Sequence, residues 1–522
     1  MNKAALSRLF GMFAPPRERS VELESDRLNV LDTGPSPMPI GDLLAYHADK
    51  GPTRPAVTYD NVSVSYAELD ARSNRKARQL AQLGVSEGDV VTLAVPNGLE
   101  FYETVFAVWK LGATPNNVSS KLPAAELQAI VELARPRLII GEENARVEGW
   151  GFLAVGANPD EALSAGPLTT KVSPHWKIQT SGGSTGRPKL ILDKLAGVFD
   201  PGKAPGGQML GDTMLNPGPL YHNAPFVMSF HCLFSGGHVV EMGRFDPLRA
   251  LELIERHKVN WVNFVPTMMH RIWRLPAAHR DAFDLSSLRI VWHMASVCPV
   301  WLKQAWIDWL GPDRIFEMYG GTELIGVTII TGREWLSHQG SVGKIQPGSQ
   351  MRVLNEQGEV CPAGEIGEIY FLPDRGRNST YEYIGAQAKA VGDWETLGDL
   401  GYVDEENYLY IVDRRTDMIV SGGANIFPAE IEAALDQHPD VQSSIVIGLP
   451  DADLGQRAHA IVQIAQDARQ RSDADALRRF LSEQLVRYKI PRSFEFTGES
   501  LRDDAGKARR SRLRDDRIAD AS

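Results

Sequence analysis

Short apolar runs alternate with longer segments of helical periodicity, and this alternation limits the fold of the chain more than any other feature. Val90-Val91-Thr92-Leu93-Ala94-Val95 reads as a buried strand, and Phe101, Val105, Phe106 and Trp109 then recur at helical spacing as far as Leu111. Leu138-Ile139-Ile140 is a second strand, ended by Gly141. Strands joined by helical crossovers carry those helices on the faces of a largely parallel sheet, so the expected class is layered α/β. A strand-rich stretch over 367–412, with hairpin punctuation such as Asn355-Glu356-Gln357-Gly358, adds a β-rich part.

After Asp413-Arg414-Arg415 the pattern becomes that of a compact α+β unit. Helices are expected at Pro428–Leu435 and Ala474–Val486, and strands at Ser443–Ile447 and His459–Ile464. At 522 residues the chain needs more than one folding unit. The division expected is a flexible tail over 1–35, a large domain over 36–413 and a small domain over 414–522. On composition alone, the basic end Lys507–Arg517 reads as a solvated tail.

The formal net charge is −11, which argues against a nucleic-acid partner. The three cysteines, Cys232, Cys298 and Cys361, are scattered and form no CxxC pair, so a disulfide framework or zinc site is not expected and a reducing cytoplasm is the default. No run of eighteen apolar residues predicts a spanning helix, and the N-terminus lacks the pattern of a secretory signal.

Thr180-Ser181-Gly182-Gly183-Ser184-Thr185-Gly186-Arg187-Pro188-Lys189 is the strongest chemical signal. Its glycines let the backbone approach a bulky anion, successive amides can form an anion nest, and the hydroxyls and Lys189 add donors and charge. No Gly-Lys-Ser/Thr ends it, so it is not a Walker loop. Tyr319-Gly320-Gly321-Thr322-Glu323 combines an aromatic face, a hydroxyl and a carboxylate of the kind a hard cation takes. Taken alone, it also fits a turn into a helix with Thr322 as N-cap. Asp399 stands in a further short motif, Thr396-Leu397-Gly398-Asp399.

These motifs, in this order, resemble those of the superfamily of acyl- and aryl-CoA synthetases, firefly luciferase and peptide-synthetase adenylation domains. The resemblance runs from about Ile40 to Arg510. It implies a large N-terminal domain of several subdomains and a small C-terminal domain that rotates about a hinge near Arg414–Asp417, where Thr416 stands in place of the usual Asp or Lys. It implies ATP, Mg2+ and coenzyme A, and an AMP-forming acid–thiol ligase that makes an acyl-adenylate and then an acyl-CoA. Alternatives are an acyl-AMP ligase that loads a carrier protein, and a nucleotide-binding relative without turnover.

Carried over residue by residue, the ATP and AMP contacts fall on Ser181, Gly182, Gly183, Ser184, Thr185, Gly186, Lys189, Ala295, Ser296, Tyr319, Gly320, Gly321, Thr322, Asp399, Ile411, Arg414 and Lys507. The metal would be held by Glu323 and Thr185. Catalysis falls to Lys507, in Asp504-Ala505-Gly506-Lys507, with Thr322, Glu323 and His222. Gly422 and Gly423 would border the coenzyme A channel, and Tyr221, His222 and Met294 the acyl pocket. In Met294-Ala295-Ser296-Val297, the family's Gly is read as Met294 and its Pro as Val297. Trp301-Leu302-Lys303, Trp306 to Pro312, Glu334-Trp335-Leu336 and Gly340–Gly343 resemble a bacterial branch of bile-acid and other bulky-acid CoA ligases, which points to a polycyclic or terpenoid acid. The partners implied are the acid and coenzyme A, with no membrane insertion; a homodimer is left open.

Overall fold

The computed structural model describes residues 36–169, 171–182, 188–464, 472–503 and 506–520. The tail over 1–35 lies outside them. Among the described residues, three large sheets and one two-stranded sheet carry the chain. The largest has 14 strands. Its parallel part runs through Thr213–Asn216, Trp261–Phe264, Ile290–His293 and Ile315–Gly320, and its antiparallel part includes Trp394–Val403 and Leu409–Arg414. A seven-stranded sheet holds Val90–Ala94 and Leu138–Gly141 side by side and in parallel. The helix expected after the first of these spans Leu99–Lys110. It is buried nearly all round because it lies between the two large sheets, where Trp109 packs on Trp176, Phe226 and Phe230.

The third sheet, of five strands, begins at Ile419 and has its own core of Ile419, Ile431, Leu435, Val446, Ala460 and Leu477. Its helix Pro428–Leu435 starts with Pro in the first turn, where no hydrogen bond is lost. The helix expected over Ala474–Val486 stops at Ser482, and a short 3-10 turn, Arg487–Lys489, follows.

The basic end is not a solvated tail. Arg510–Asp520 is a helix whose Leu513 and Ile518 pack on the sheet with Ile445 and Ile447. Arg510 pairs with Glu432 at 2.6 Å and Asp417 at 3.1 Å, and Arg517 pairs with Glu495 at 2.6 Å. Composition misleads here because the charges have partners brought from distant sequence. No described helix is long and apolar enough to cross a membrane. The three cysteines are free and buried, and burial raises each thiol's pKa.

Candidate active site

The carboxyl ends of parallel strands are where α/β sheets leave ligand crevices. Here a cavity of about 2570 Å³ opens at those ends and reaches across to the five-stranded unit. Asn263, Met294, Ala295 and Ser296 line it from the strand ends. So do Glu317 and the whole of Tyr319-Gly320-Gly321-Thr322-Glu323. No helix follows Tyr319; the strand Ile315–Gly320 turns directly into the antiparallel strand Val327–Thr331, so Thr322 is a turn residue and not an N-cap.

Lys189 enters from the other large sheet. Ile178–Gly182 and Pro188–Asp193 pair as antiparallel strands, with Ser181 opposite Lys189, so the Gly-rich stretch is a connection between two strands. Gly183, Ser184, Thr185 and Gly186 lie outside the described residues, and Ser181 and Gly182 are described in backbone only. Lys189 Nζ stands 3.5 Å from Glu323 Oε1 and 3.9 Å above the ring of Tyr383. Tyr383 donates its hydroxyl to the same carboxylate, and Thr380 Oγ1 donates to the Glu323 carbonyl at 2.7 Å. Burial lowers the pKa of Lys189, with Glu323 opposing the shift. A Cβ at Gly321 would lie 2.5 Å from Glu323 Oε2, so glycine leaves that oxygen room. A single carboxylate beside a lysine suits Mg2+, which takes one or two protein carboxylates and fills its shell with phosphate oxygens.

Asp399 and Arg414 are cross-strand partners, which brings residues fifteen positions apart into contact. Arg414 Nε lies 3.5 Å from Asp399 Oδ1, and Tyr319 donates its hydroxyl to Asp399 Oδ2 at 2.7 Å. Burial and Asp399 push the Tyr319 hydroxyl's pKa well up, which keeps it a donor. Ile411 lines the cavity on the same strand as Arg414.

Lys507 reaches this cavity from the small unit. Its backbone N–H donates to Asp503 Oδ1 at 2.8 Å. Its ammonium stays open to the cavity but has protein on most sides. Desolvation and then Arg414 lower its pKa, while Asp503 and Glu323 oppose. Gly506 has φ +77°, and a Cβ there would lie 2.5 Å from Thr267 Oγ1, so this position tolerates only glycine. Asp504 and Ala505 lie outside the described residues.

Tyr221, His222 and Met294 line the same cavity beside Trp176, Phe199, Met228 and Met318. The residue forced into the left-handed region is Ala295, at φ +78°. The position that favours glycine therefore lies one residue after Met294, where the sequence placed it. Trp306 and Trp335 are buried in the core and do not line the cavity, and Lys303 is buried against Glu317 at 2.6 Å. Gly422 and Gly423, at φ +57° and +81°, form the two-residue turn between Ile419–Ser421 and Ala424–Ile426 and do not line the cavity.

Tyr383, which lines the cavity, and Thr380, which holds the Glu323 backbone, are the contacts that sequence reading missed. The alternation of Thr380 and Glu382 with Tyr381 and Tyr383 marks a strand, but nothing in it says which strand it pairs with.

Residues 44–378 match the family described as AMP-binding enzyme, and residues 430–507 match its C-terminal domain. The chain is 31% identical to a 2-succinylbenzoate–CoA ligase of Geobacillus kaustophilus, over 89% of this chain and 95% of that protein. It is 32% identical to a feruloyl-CoA synthase of an Amycolatopsis species, over 91% and 98%. Among solved structures it is similar to the o-succinylbenzoate CoA synthetase of Bacillus subtilis, at 26% identity. The complex with the acyl-adenylate intermediate superposes with a TM-score of 0.76 over 92% of this chain and 98% of that one. The complex with ATP and magnesium gives 0.75 over 92% and 100%.

Proposed function

This chain belongs to the AMP-binding enzyme family, and from that premise we propose that it is an ATP-dependent carboxylic acid:CoA ligase acting on an acid with a bulky ring system. One observation carries the reading: Lys507 of the small unit stands in the same cavity as Lys189, Glu323 and Asp399 of the large one and Arg414 at the boundary between them. Four separate stretches of chain thus supply groups suited to a triphosphate, a ribose and a reacting carboxylate.

In the first half-reaction the acid's carboxylate oxygen attacks the α-phosphorus of ATP, the bond to the β-phosphate oxygen breaks, and pyrophosphate leaves. Two anions must meet, so positioning and charge neutralisation supply most of the catalysis. Lys189, with Ser184, Thr185 and the glycines of that loop, receives the β- and γ-phosphates. Asp399 and Arg414 hold the ribose, and Tyr319, Ala295 and Ser296 border the adenine. Thr322 and the Lys507 ammonium meet the charge that gathers at the α-phosphorus. Glu323 and Thr185 would hold Mg2+, which when bound offsets the phosphate charge. His222 borders the acid's carboxylate end.

For the second half-reaction the unit over 414–522 turns about Arg414–Asp417, withdraws Lys507 and presents Gly422 and Gly423. The sulfur of coenzyme A attacks the acyl carbon, the bond from that carbon to the AMP phosphate oxygen breaks, AMP leaves, and the thiol proton passes to solvent. No protein nucleophile is needed.

The aromatic and methionine wall beyond Tyr221 and His222 supports a bulky polycyclic or terpenoid acid. The cyclic acids named for the two relatives agree with a ring-bearing substrate. The test is ATP–pyrophosphate exchange with steroid, terpenoid, aryl and fatty acids, followed by transfer to coenzyme A or to a holo-carrier protein. Exchange highest with the polycyclic or terpenoid acids, and transfer to coenzyme A, is the expected result. A preference for straight-chain acids overturns the substrate assignment, transfer only to the carrier overturns the acceptor, and no exchange with any acid overturns the reading.

A further inference from the structure

The helix Pro266–Trp273 belongs to the large unit, yet the small unit rests on both of its ends. At its N-terminal end, Val265 and Thr267 lie directly against Gly506, the residue before Lys507; a Cβ on Gly506 would sit 3.4 Å from Val265 Cγ2 and 2.5 Å from Thr267 Oγ1. At its C-terminal end, the capping residue Arg274 donates one guanidinium nitrogen to the Val441 carbonyl and the other to the Pro439 carbonyl at 2.6 Å. Asp436 and Asp440 of the small unit stand near enough to raise the Arg274 pKa against the burial that lowers it. The two contacts are seven residues apart, about 10 Å along the helix at 1.5 Å per residue.

Two separated contacts on one rigid rod fix an orientation that a single contact would leave free to pivot. The contact at Gly506 is steric and cannot pull. The contact at Arg274 is a planar fork on two carbonyls, a geometry that a lysine cannot reproduce. We infer that this helix is a two-point clamp that sets the small unit where Lys507 meets the nucleotide, with Arg274 as a positioning residue that acts through Lys507. The inference rests on the functional reading above for its kinetic consequences; the clamp's geometry does not depend on it.

The test compares Arg274→Ala and Arg274→Lys with the unaltered full chain. Three quantities are measured: ATP–pyrophosphate exchange, thioester formation from a supplied acyl-adenylate, and acetylation of Lys507 by an N-hydroxysuccinimide ester, read by mass spectrometry. In Arg274→Ala, exchange should fall roughly 10-fold or more, as expected for losing hydrogen bonds from a charged donor. Thioester formation should hold or rise, and Lys507 should be acetylated faster. Arg274→Lys should fall between the two, and it keeps the test alive if the alanine variant does not fold. An equal loss in both half-reactions with unchanged acetylation marks a merely structural residue and overturns the clamp, as does no change in any readout. If the unaltered chain shows no exchange with any acid, the functional reading fails, and the acetylation rates still decide the clamp.

Discussion

Removing the Tyr383 hydroxyl tests the part of the site that the sequence motifs did not reveal. Tyr383→Phe deletes the donor to Glu323 and keeps the ring under Lys189, whose Nζ lies 3.9 Å from the centroid. Burial and Glu323 push the Tyr383 hydroxyl's pKa upward, so it keeps its proton and remains a donor. A hydrogen bond to a charged acceptor contributes roughly 1.5–3 kcal/mol net. At about 1.36 kcal/mol per decade, its loss should lower kcat/KM for ATP in pyrophosphate exchange by roughly 10- to 150-fold. The Glu323 backbone remains held by Thr380, so the carboxylate shifts and the turn does not. Tyr383→Leu also removes the ring face and should cost a further ~0.5–2 kcal/mol. The expected order is wild type, then Phe, then Leu, with the Mg2+ needed for half-maximal exchange rising in the same order. A Phe variant equal to wild type would refute a role for the hydroxyl, and two equal variants would refute one for the ring.

Gly506→Ala imposes about 1–2 kcal/mol of left-handed strain and drives a methyl into Thr267, so exchange should fall at least 10-fold. Thr267→Ala in the same chain should recover part of that loss, and no recovery would show that the contact is not the cause. Exchange should also fall at alkaline pH, as the Lys507 ammonium deprotonates below the usual lysine pKa of 10.5. A lysine whose folded pKa is depressed leaves fewer protons on the folded state, so through that window this group adds stability as pH rises and its deprotonation does not itself unfold the chain. A Lys507→Arg variant, whatever its maximal rate, should lose the part of that alkaline limb in a pH–rate profile that Lys507 supplies, because guanidinium stays charged, while Lys189, whose pKa is also lowered, still titrates.

Elements whose pattern is local were legible in the sequence. Leu138–Gly141 and Pro428–Leu435 appear where apolar spacing and a first-turn proline put them. What escaped depends on long-range pairing. The strand Tyr381–Ile384 reaches the site only because it pairs with Pro188–Asp193, and no local periodicity encodes that register. The positive φ of Ala295 is invisible for the same reason, since alanine gives no sign of left-handed backbone as glycine does. The tryptophans that resembled a bulky-acid branch proved divided in role: Trp306 and Trp335 fill the core, whereas Trp301 lines the cavity. Motifs assembled by resemblance singled out Lys189, Glu323, Asp399, Arg414 and Lys507, which composition alone would have left as surface charges, and all five line one cavity. The basic C-terminal end shows the opposite error, because Leu513 and Ile518 are too few to outweigh its charge in a local reading, although each arginine that matters has a carboxylate waiting.

The most direct measurement separates the two half-reactions in a Lys507→Ala variant. If one cavity assembles the nucleotide and Lys507 visits it only for adenylation, pyrophosphate exchange should be abolished while a supplied acyl-adenylate is still converted to thioester at close to the wild-type rate. Equal loss of both activities, or exchange that survives without the lysine, would contradict that account.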